Sequence, residues 1–125
     1  MTKEEFEAFK SLKEKFEQEV EELFDYIKKK YCDVLKFGKY SSFYHYIIYD
    51  DEICIEYSDF GYDLYDSQNL YIPLNDFLSN PFGWADHWAN NIRAERQKEE
   101  EKAIKAKEKE EKEELQRLKE KYEKQ

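Results

Sequence analysis

The stretch YSSFYHYIIYDDEICIEYSDFGYDLYDSQ, residues 40–68, decides the fold because its apolar side chains alternate with a period of two. Residues 43–49, FYHYIIY, and residues 53–57, ICIEY, are therefore predicted to be strands. The run Asp50-Asp51-Glu52 between them is short and polar, so we expect the strands to pair as an antiparallel hairpin. The alternation places Phe43, His45, Ile47 and Tyr49 on one face of the first strand and Tyr44, Tyr46 and Ile48 on the other.

Two further segments near this hairpin have strand character. Residues 70–74, LYIPL, are the third predicted strand. Pro73 cannot donate a ladder hydrogen bond, so we expect it at the end or edge of that strand. Residues 34–37 are a candidate for a short fourth strand.

The residues before the sheet are predicted to form an amphipathic helix. Thr2 followed by Glu5 matches a capping box at the start of this helix, and Gly38 marks a break after its end. We expect the helix to cover the protein's own sheet, and the alternative is that its aromatic stripe binds in a groove of a partner. Its apolar residues are spaced by threes and fours: Phe6, Phe9, Leu12, Phe16, Val20, Leu23 and Ile27.

A second helical region follows the sheet. Asn75 or Asp76 is expected to cap one short helical turn, and Asn80-Pro81 is typical of the start of a longer helix. Trp84 and Trp88 are four residues apart and are expected to lie against the sheet.

From Arg93 onward the chain is almost wholly charged and contains neither Gly nor Pro. Glu residues precede Lys or Arg by four positions several times, which stabilises a helix. Two alternatives stay open for this tail: a solvated single helix or partly disordered segment, or a short coiled coil that makes a homodimer or binds a partner. The coiled-coil residues would be Ile104, Leu115, Leu118 and Tyr122.

Together these patterns predict an α+β fold. It consists of an N-terminal amphipathic helix, a three- or four-stranded antiparallel sheet and a long charged C-terminal helix. Residues 1–92 are expected to form the compact domain and residues 93–125 the helical extension.

The net charge of −9 is concentrated in the middle of the chain. Residues 40–92 contain nine Asp or Glu and no Lys or Arg, whereas the segments on either side are nearly balanced. Because nucleic-acid binding needs a net basic face, the balanced tail argues against direct binding of DNA or RNA.

Motifs for catalysis, metal binding and membrane insertion are absent from the sequence. His45 and His87 have no partner at a diagnostic spacing, and Cys32 and Cys54 are expected to be core residues. The acidic residues around Gly61 do not have the spacing of a calcium loop. We therefore expect no enzyme activity, no cofactor and no metal, and the lack of a signal peptide or an apolar span predicts a cytoplasmic protein.

The tyrosines and carboxylates of the sheet are the candidate binding surface. Tyrosine offers a large rigid contact area with a polar tip, and carboxylates without nearby bases attract a basic partner. The alternative is an ordinary sheet that happens to be rich in tyrosine, and the sequence weighs the two equally. The candidate contact residues are Tyr44, Tyr46, Asp50, Asp51, Glu52, Glu56, Asp59, Tyr62, Asp63 and Asp66.

The order of these parts resembles small acidic proteins encoded by bacteriophages and prophages. The resemblance is carried by residues 53–74, ICIEYSDFGYDLYDSQNLYIPL, and by the closing residues 115–125, LQRLKEKYEKQ. It implies expression in a bacterial host cytoplasm and inhibition of a host nucleic-acid-binding or defence protein, as in anti-CRISPR proteins and DNA mimics. The alternative function is that of a structural or assembly protein that oligomerises through the C-terminal helix.

Overall fold

The three strands form one antiparallel sheet in the order β1-β2-β3. In the computed structural model, which describes residues 1–59 and 66–123, β1 spans Ser41–Ile48, β2 Glu52–Asp59 and β3 Ser67–Pro73. The helices are α1, Lys3–Tyr31, α2, Leu74–Ser79, and α3, Pro81–Glu123. The predicted α+β class, with an N-terminal helix, an antiparallel sheet and a long C-terminal helix, is confirmed.

The segment between α1 and β1 consists of two short 3₁₀ turns, Cys32–Val34 and Gly38–Tyr40. The prediction of a fourth strand at residues 34–37 was therefore wrong. Val34 and Leu35 are buried even though they pair with no strand. An apolar run of this length has the same appearance in sequence whether it pairs as a strand or packs as a turn.

A bulge in β1 changes which side chains face the helix. Phe43 lies opposite Tyr57 in β2, but the next registered pair is His45 with Glu56, so Tyr44 is an extra residue. An extra residue shifts the alternation by one position. Tyr46 and Ile48 are therefore on the same face as Phe43, and the predicted grouping of Phe43 with His45 and Ile47 was wrong.

The core lies between α1 and the sheet. Phe24 of α1 is buried, and its ring centroid lies 6.0 Å from that of Phe43 and 5.6 Å from that of Tyr57. The other side chains of α1 and the strands in this layer are also buried: Val20, Leu23, Ile27, Ile53, Ile55, Leu70 and Ile72. The second half of the predicted amphipathic stripe is thus the part that builds the core.

The ends of the helices follow local sequence rules with two exceptions. Thr2 Oγ1 accepts the Glu5 backbone N–H at 3.1 Å as expected, but the Glu5 carboxylate accepts the Thr2 hydroxyl and not its backbone N–H. The start of α3 at Pro81 is confirmed, and Asn80 Oδ1 accepts the Gly83 backbone N–H at 3.0 Å. The prediction of an Asn75 or Asp76 cap for α2 was wrong, because α2 begins at Leu74 with Pro73 at its N-cap.

The buried residues of α3 are Ala85 and Ala89. Trp84 and Trp88 are half-buried and stack on each other with ring centroids 5.7 Å apart. The chain divides into two compact units, Met1–Ala89 and Asn90–Gln125, whereas the sequence placed the boundary after residue 92. The second unit is helical through Glu123.

Replacing Gly38 by alanine is expected to lower the free energy of unfolding by about 1 kcal/mol. Gly38 has a φ of +57°, where a β-carbon is strained, although a β-carbon there would meet the Cys32 carbonyl oxygen only at an ordinary 3.9 Å. Urea unfolding followed by tryptophan fluorescence measures the effect. Lys39→Ala, at the next and exposed position, is the control, and equal stability of the two variants would contradict the prediction.

Candidate functional site

The hairpin end of the sheet holds three of the predicted contact residues on a fixed turn. Asp50 and Asp51 are exposed, and Glu52 is half-buried at the start of β2. The Tyr49 N–H donates to the Glu52 carbonyl at 2.9 Å, and the Leu74 N–H donates to the Asp51 carbonyl at 2.8 Å. These backbone bonds tie the turn to the start of α2. We call Asp50, Asp51 and Glu52 the acidic turn.

Two of the other predicted carboxylates, Asp59 and Asp66, lie at the far end of β2. Asp59 is its last residue, and Asp66 precedes β3 and forms an ion pair with Lys36 at 3.1 Å. Tyr62 and Asp63 lie outside the described residues. An eight-residue strand places its ends about 24 Å apart, so the structure does not bring the candidate carboxylates into one patch.

The face of the sheet opposite α1 extends from the acidic turn to the end that contains Asp59 and Asp66. One row across the strands consists of His45, Glu56 and Asn69, and the neighbouring row of Ile47, Cys54 and Tyr71. His45, Asn69 and Tyr71 are exposed, and Glu56 is half-buried. We call these two rows the outer face. Within the described strands β1, β2 and β3, no residue is a Lys or Arg.

Cys54 and Tyr71 lie in the same row of the outer face but differ in exposure. Cys54 is buried within its row, and this burial raises the pKa of its thiol, which makes the thiol less reactive at neutral pH. Tyr71 was not among the predicted contact residues although its side chain is exposed. Its position between the buried Leu70 and Ile72 was the sequence signal that places it on this face.

The two predicted tyrosines of β1 have different environments. Tyr44, the bulge residue, is 70% exposed. Tyr46 is half-buried against α1, where its hydroxyl donates to Glu17 Oε1 at 3.0 Å and its ring lies 5.4 Å from Phe16. Burial, and secondly the bond to Glu17, raises the pKa of Tyr46. Tyr46 therefore belongs to the contact between helix and sheet.

An apolar groove of about 490 Å³ lies between the first half of α1 and the end of β1. Its apolar lining consists of Phe9, Leu12, Phe16, Tyr46 and Ile48. Lys13, Lys15 and Glu19 also border it. The spacing of the apolar stripe predicts which side of α1 is apolar but not which part of that side lies beyond the sheet, so the sequence did not locate this groove.

Asp86 is the centre of a polar cluster with Tyr26, Lys30 and Tyr31. Its Oδ1 atom accepts the Tyr26 hydroxyl at 2.6 Å and the Tyr31 hydroxyl at 2.5 Å. Lys30 Nζ lies 3.4 Å from the same atom and donates to the Tyr26 hydroxyl at 3.1 Å. The cluster fixes the start of α3 against the end of α1.

The same contacts shift the ionisation of the cluster. Hydrogen bonds from Tyr26 and Tyr31 lower the pKa of Asp86 below its ordinary value of 3.8. The bond to Asp86 raises the pKa of Tyr31, and the bond to Tyr26, followed by that to Asp86, raises the pKa of Lys30. The charged forms of Asp86 and Lys30 are thus favoured together, which suits a structural contact.

The predicted oligomerisation residues lie in the second unit. All four are exposed, with exposed fractions between 48% and 70%. These are Ile104, Leu115, Leu118 and Tyr122.

The histidines and acids do not converge on a metal-binding geometry in the part of the chain that the structure describes. His45 and His87 are both exposed, and within residues 1–59 and 66–123 no group of three His, Cys, Asp or Glu side chains is placed to hold a metal ion. Over the same residues, none of the helices is both long enough and apolar enough to cross a membrane.

Comparison with known proteins gives no matching family model, no matching curated protein and no matching solved structure. The resemblance to phage proteins therefore stays a prediction.

Proposed function

We propose that this chain is a non-catalytic protein–protein interaction module that binds a basic surface of another protein. The single observation that carries the proposal is the acidic turn, whose carboxylates are held on a backbone-anchored loop in a segment without Lys or Arg. An anchored turn loses little conformational freedom on binding. Glu56, Tyr44 and Tyr71 extend the contact area along the sheet.

The acidic turn and the end of the sheet that contains Asp59 and Asp66 are too far apart to attract a partner jointly, so one of them is the main contact. At physiological ionic strength, exposed charges are screened beyond about 8 Å. The two ends, about 24 Å apart, therefore act independently. Lys36 partly neutralises the end that contains Asp66. The acidic turn is thus the stronger attractant for a basic partner.

The resemblance to phage proteins supports a finer form of this proposal. The partner would be a host nucleic-acid-binding or defence protein, and the carboxylates would take the place of DNA phosphates in its basic groove. A DNA mimic presents acids at short intervals along its length, whereas this sheet carries them mainly at its two ends. The general protein-binding function is therefore better supported than mimicry of DNA.

Neutralising the acidic turn is expected to weaken binding to a basic partner by tenfold or more. Proteins captured from a bacterial lysate by the intact chain are identified, purified and titrated against Asp50→Asn/Asp51→Asn/Glu52→Gln. Electrostatic contacts make binding weaken as salt is raised, and the variant should lose most of that dependence.

The matched control removes the same number of charges elsewhere. Glu7→Gln/Glu14→Gln/Glu21→Gln changes three exposed residues that follow one another along α1 at intervals of seven. Equal affinity of the control and the acidic-turn variant would overturn the proposal, as would a captured set without any basic protein. Capture of a basic partner that has no nucleic-acid-binding or defence role would support the general protein-binding function and would contradict the phage-inhibitor form of the proposal.

Oligomerisation through α3 is the second candidate function, favoured by the exposure of Leu115, Leu118 and Tyr122 at a three-four spacing. Loss of an oligomer on changing Leu115 and Leu118 to aspartate, measured by light scattering, would support it. An unchanged mass would exclude α3 as the oligomer interface.

A further inference from the structure

The first turns of α1 carry an apolar stripe that is exposed. The exposed fractions of Phe6, Phe9 and Leu12 are 55%, 57% and 66%. From Phe16 onward the same stripe is half-buried or buried against the sheet. The stripe thus has one half in the core and one half in contact with solvent.

The lengths of the elements explain this division. An eight-residue strand spans about 24 Å between its ends, and the helix from Phe16 to Tyr31 has a similar length of about 24 Å. The preceding residues of α1 extend about 20 Å further. They retain core-type side chains in a place where the sheet has ended, and Tyr46 and Ile48 of β1 line the groove beside them.

We propose that this exposed stripe is a homodimer interface in which α1 of one copy packs antiparallel against α1 of a second copy. The occupant of the groove is then the same segment of the other chain. This inference is independent of the acidic turn and of α3, which lie outside the stripe.

Charge complementarity favours a second copy in the antiparallel direction. Glu5, Phe9 and Lys13 are four residues apart and follow one another along one side of the helix. A two-fold axis at Phe9 brings Glu5 of each copy to the height of Lys13 of the other. It also brings Phe6 of each copy to the height of Leu12 of the other. A parallel pair would instead bring Glu5 beside Glu5 and Lys13 beside Lys13, where like charges repel.

The exposed area sets the strength of such a dimer. Phe6, Phe9, Leu12 and Ile48 together expose roughly 400 Å² of apolar surface. Two copies would bury roughly 800 Å² from these residues, close to the ~1,000 Å² that a specific interface needs. The stems of flanking Lys and Glu residues supply the remainder. We therefore expect a dimer with a dissociation constant in the micromolar range or weaker.

Phe9→Asp is expected to weaken the dimer by tenfold or more, because it places two carboxylates together at the centre of the apolar contact. Sedimentation equilibrium of the full chain, over concentrations that extend into the millimolar range, measures the dissociation constant. The matched control Leu78→Asp introduces the same charge at an exposed apolar position of α2 and should leave the constant unchanged.

A charge exchange tests the antiparallel pairing. Glu5→Lys and Lys13→Glu should each weaken the homodimer, by roughly three- to tenfold, because each introduces two like-charge contacts. The double variant Glu5→Lys/Lys13→Glu should restore it, and a mixture of the two single variants should form a heterodimer. A merely structural role of either residue in its own chain would not give this rescue by mixing.

Three results would overturn the proposal. The first is a wild-type chain that stays monomeric throughout the concentration range. The second is a dimer that Leu115→Asp dissociates and Phe9→Asp does not, which would assign the interface to α3. The third is failure of the exchanged pair to recover affinity, which would exclude this antiparallel arrangement.

Discussion

Phe24→Ala is expected to lower the free energy of unfolding by about 3–5 kcal/mol. Phe24 is 1% exposed, and its ring contacts Phe43 and Tyr57 where α1 crosses the sheet. Removing the ring leaves a cavity that rigid neighbouring rings cannot close. Since domains of this size are stable by roughly 5–15 kcal/mol, this single change is expected to remove a large part of the stability.

Phe9→Ala is the matched control for this prediction. It makes the same chemical change in the same helix and on the same apolar stripe, but its side chain is 57% exposed. We expect its effect to stay within about 0.5 kcal/mol. Urea unfolding followed by fluorescence of Trp84 and Trp88 reports on the first unit without the signal of the second. Equal losses for the two variants would contradict the view that the core begins near Phe16.

The contrast between Phe9 and Phe24 also defines what the sequence could predict about the fold. The spacing of three and four predicted one continuous helix, and α1 is continuous from Lys3 to Tyr31. Periodicity describes which side of a helix is apolar but not how far the sheet beneath it extends. The groove at the first half of α1 therefore became visible only once the strand lengths were known.

The bulge at Tyr44 set a similar limit on the prediction of the binding surface. The period of two correctly placed β1 and β2 and their antiparallel pairing. A single extra residue then placed Tyr46, which the alternation had put on the face opposite Phe43, on the same face as Phe43 and in contact with Phe16 and Glu17. The amino-acid preferences of this segment do not predict the bulge, because Tyr is compatible with both faces of a strand.

Contacts between residues that are distant in sequence were the other feature that the sequence did not predict. Asp86 lies 60 residues from Tyr26 and 55 from Tyr31. Only the packing of α3 beside α1 brings these side chains together. The carboxylates of the acidic turn were found because they are neighbours in the chain, whereas the cluster at Asp86 has no signature in any short window.

The Asp86 cluster leads to the second large effect, a loss of stability at both extremes of pH. The pKa of Asp86 is lower in the folded than in the unfolded chain, so the unfolded chain binds a proton first as pH falls. The stabilisation is therefore complete above the ordinary carboxyl value of 3.8 and is lost below it. The pKa of Tyr31 is raised above 10.0, so its contribution is complete below that value and is lost as pH rises further.

Two substitutions separate the charge of Asp86 from its role as a hydrogen-bond acceptor. Asp86→Asn keeps an oxygen for the tyrosine hydroxyls but removes the charge beside Lys30, so we expect lower stability at neutral pH and a weaker pH dependence on both sides. Asp86→Ala should lose more than Asp86→Asn, because the buried Tyr31 hydroxyl is then left without this acceptor. Urea midpoints measured from acid to alkaline pH test both statements, with Asp25→Asn on the exposed side of α1 as the control. If Asp86→Asn kept the wild-type pH dependence, the charge at this position would not be what joins the end of α1 to the start of α3.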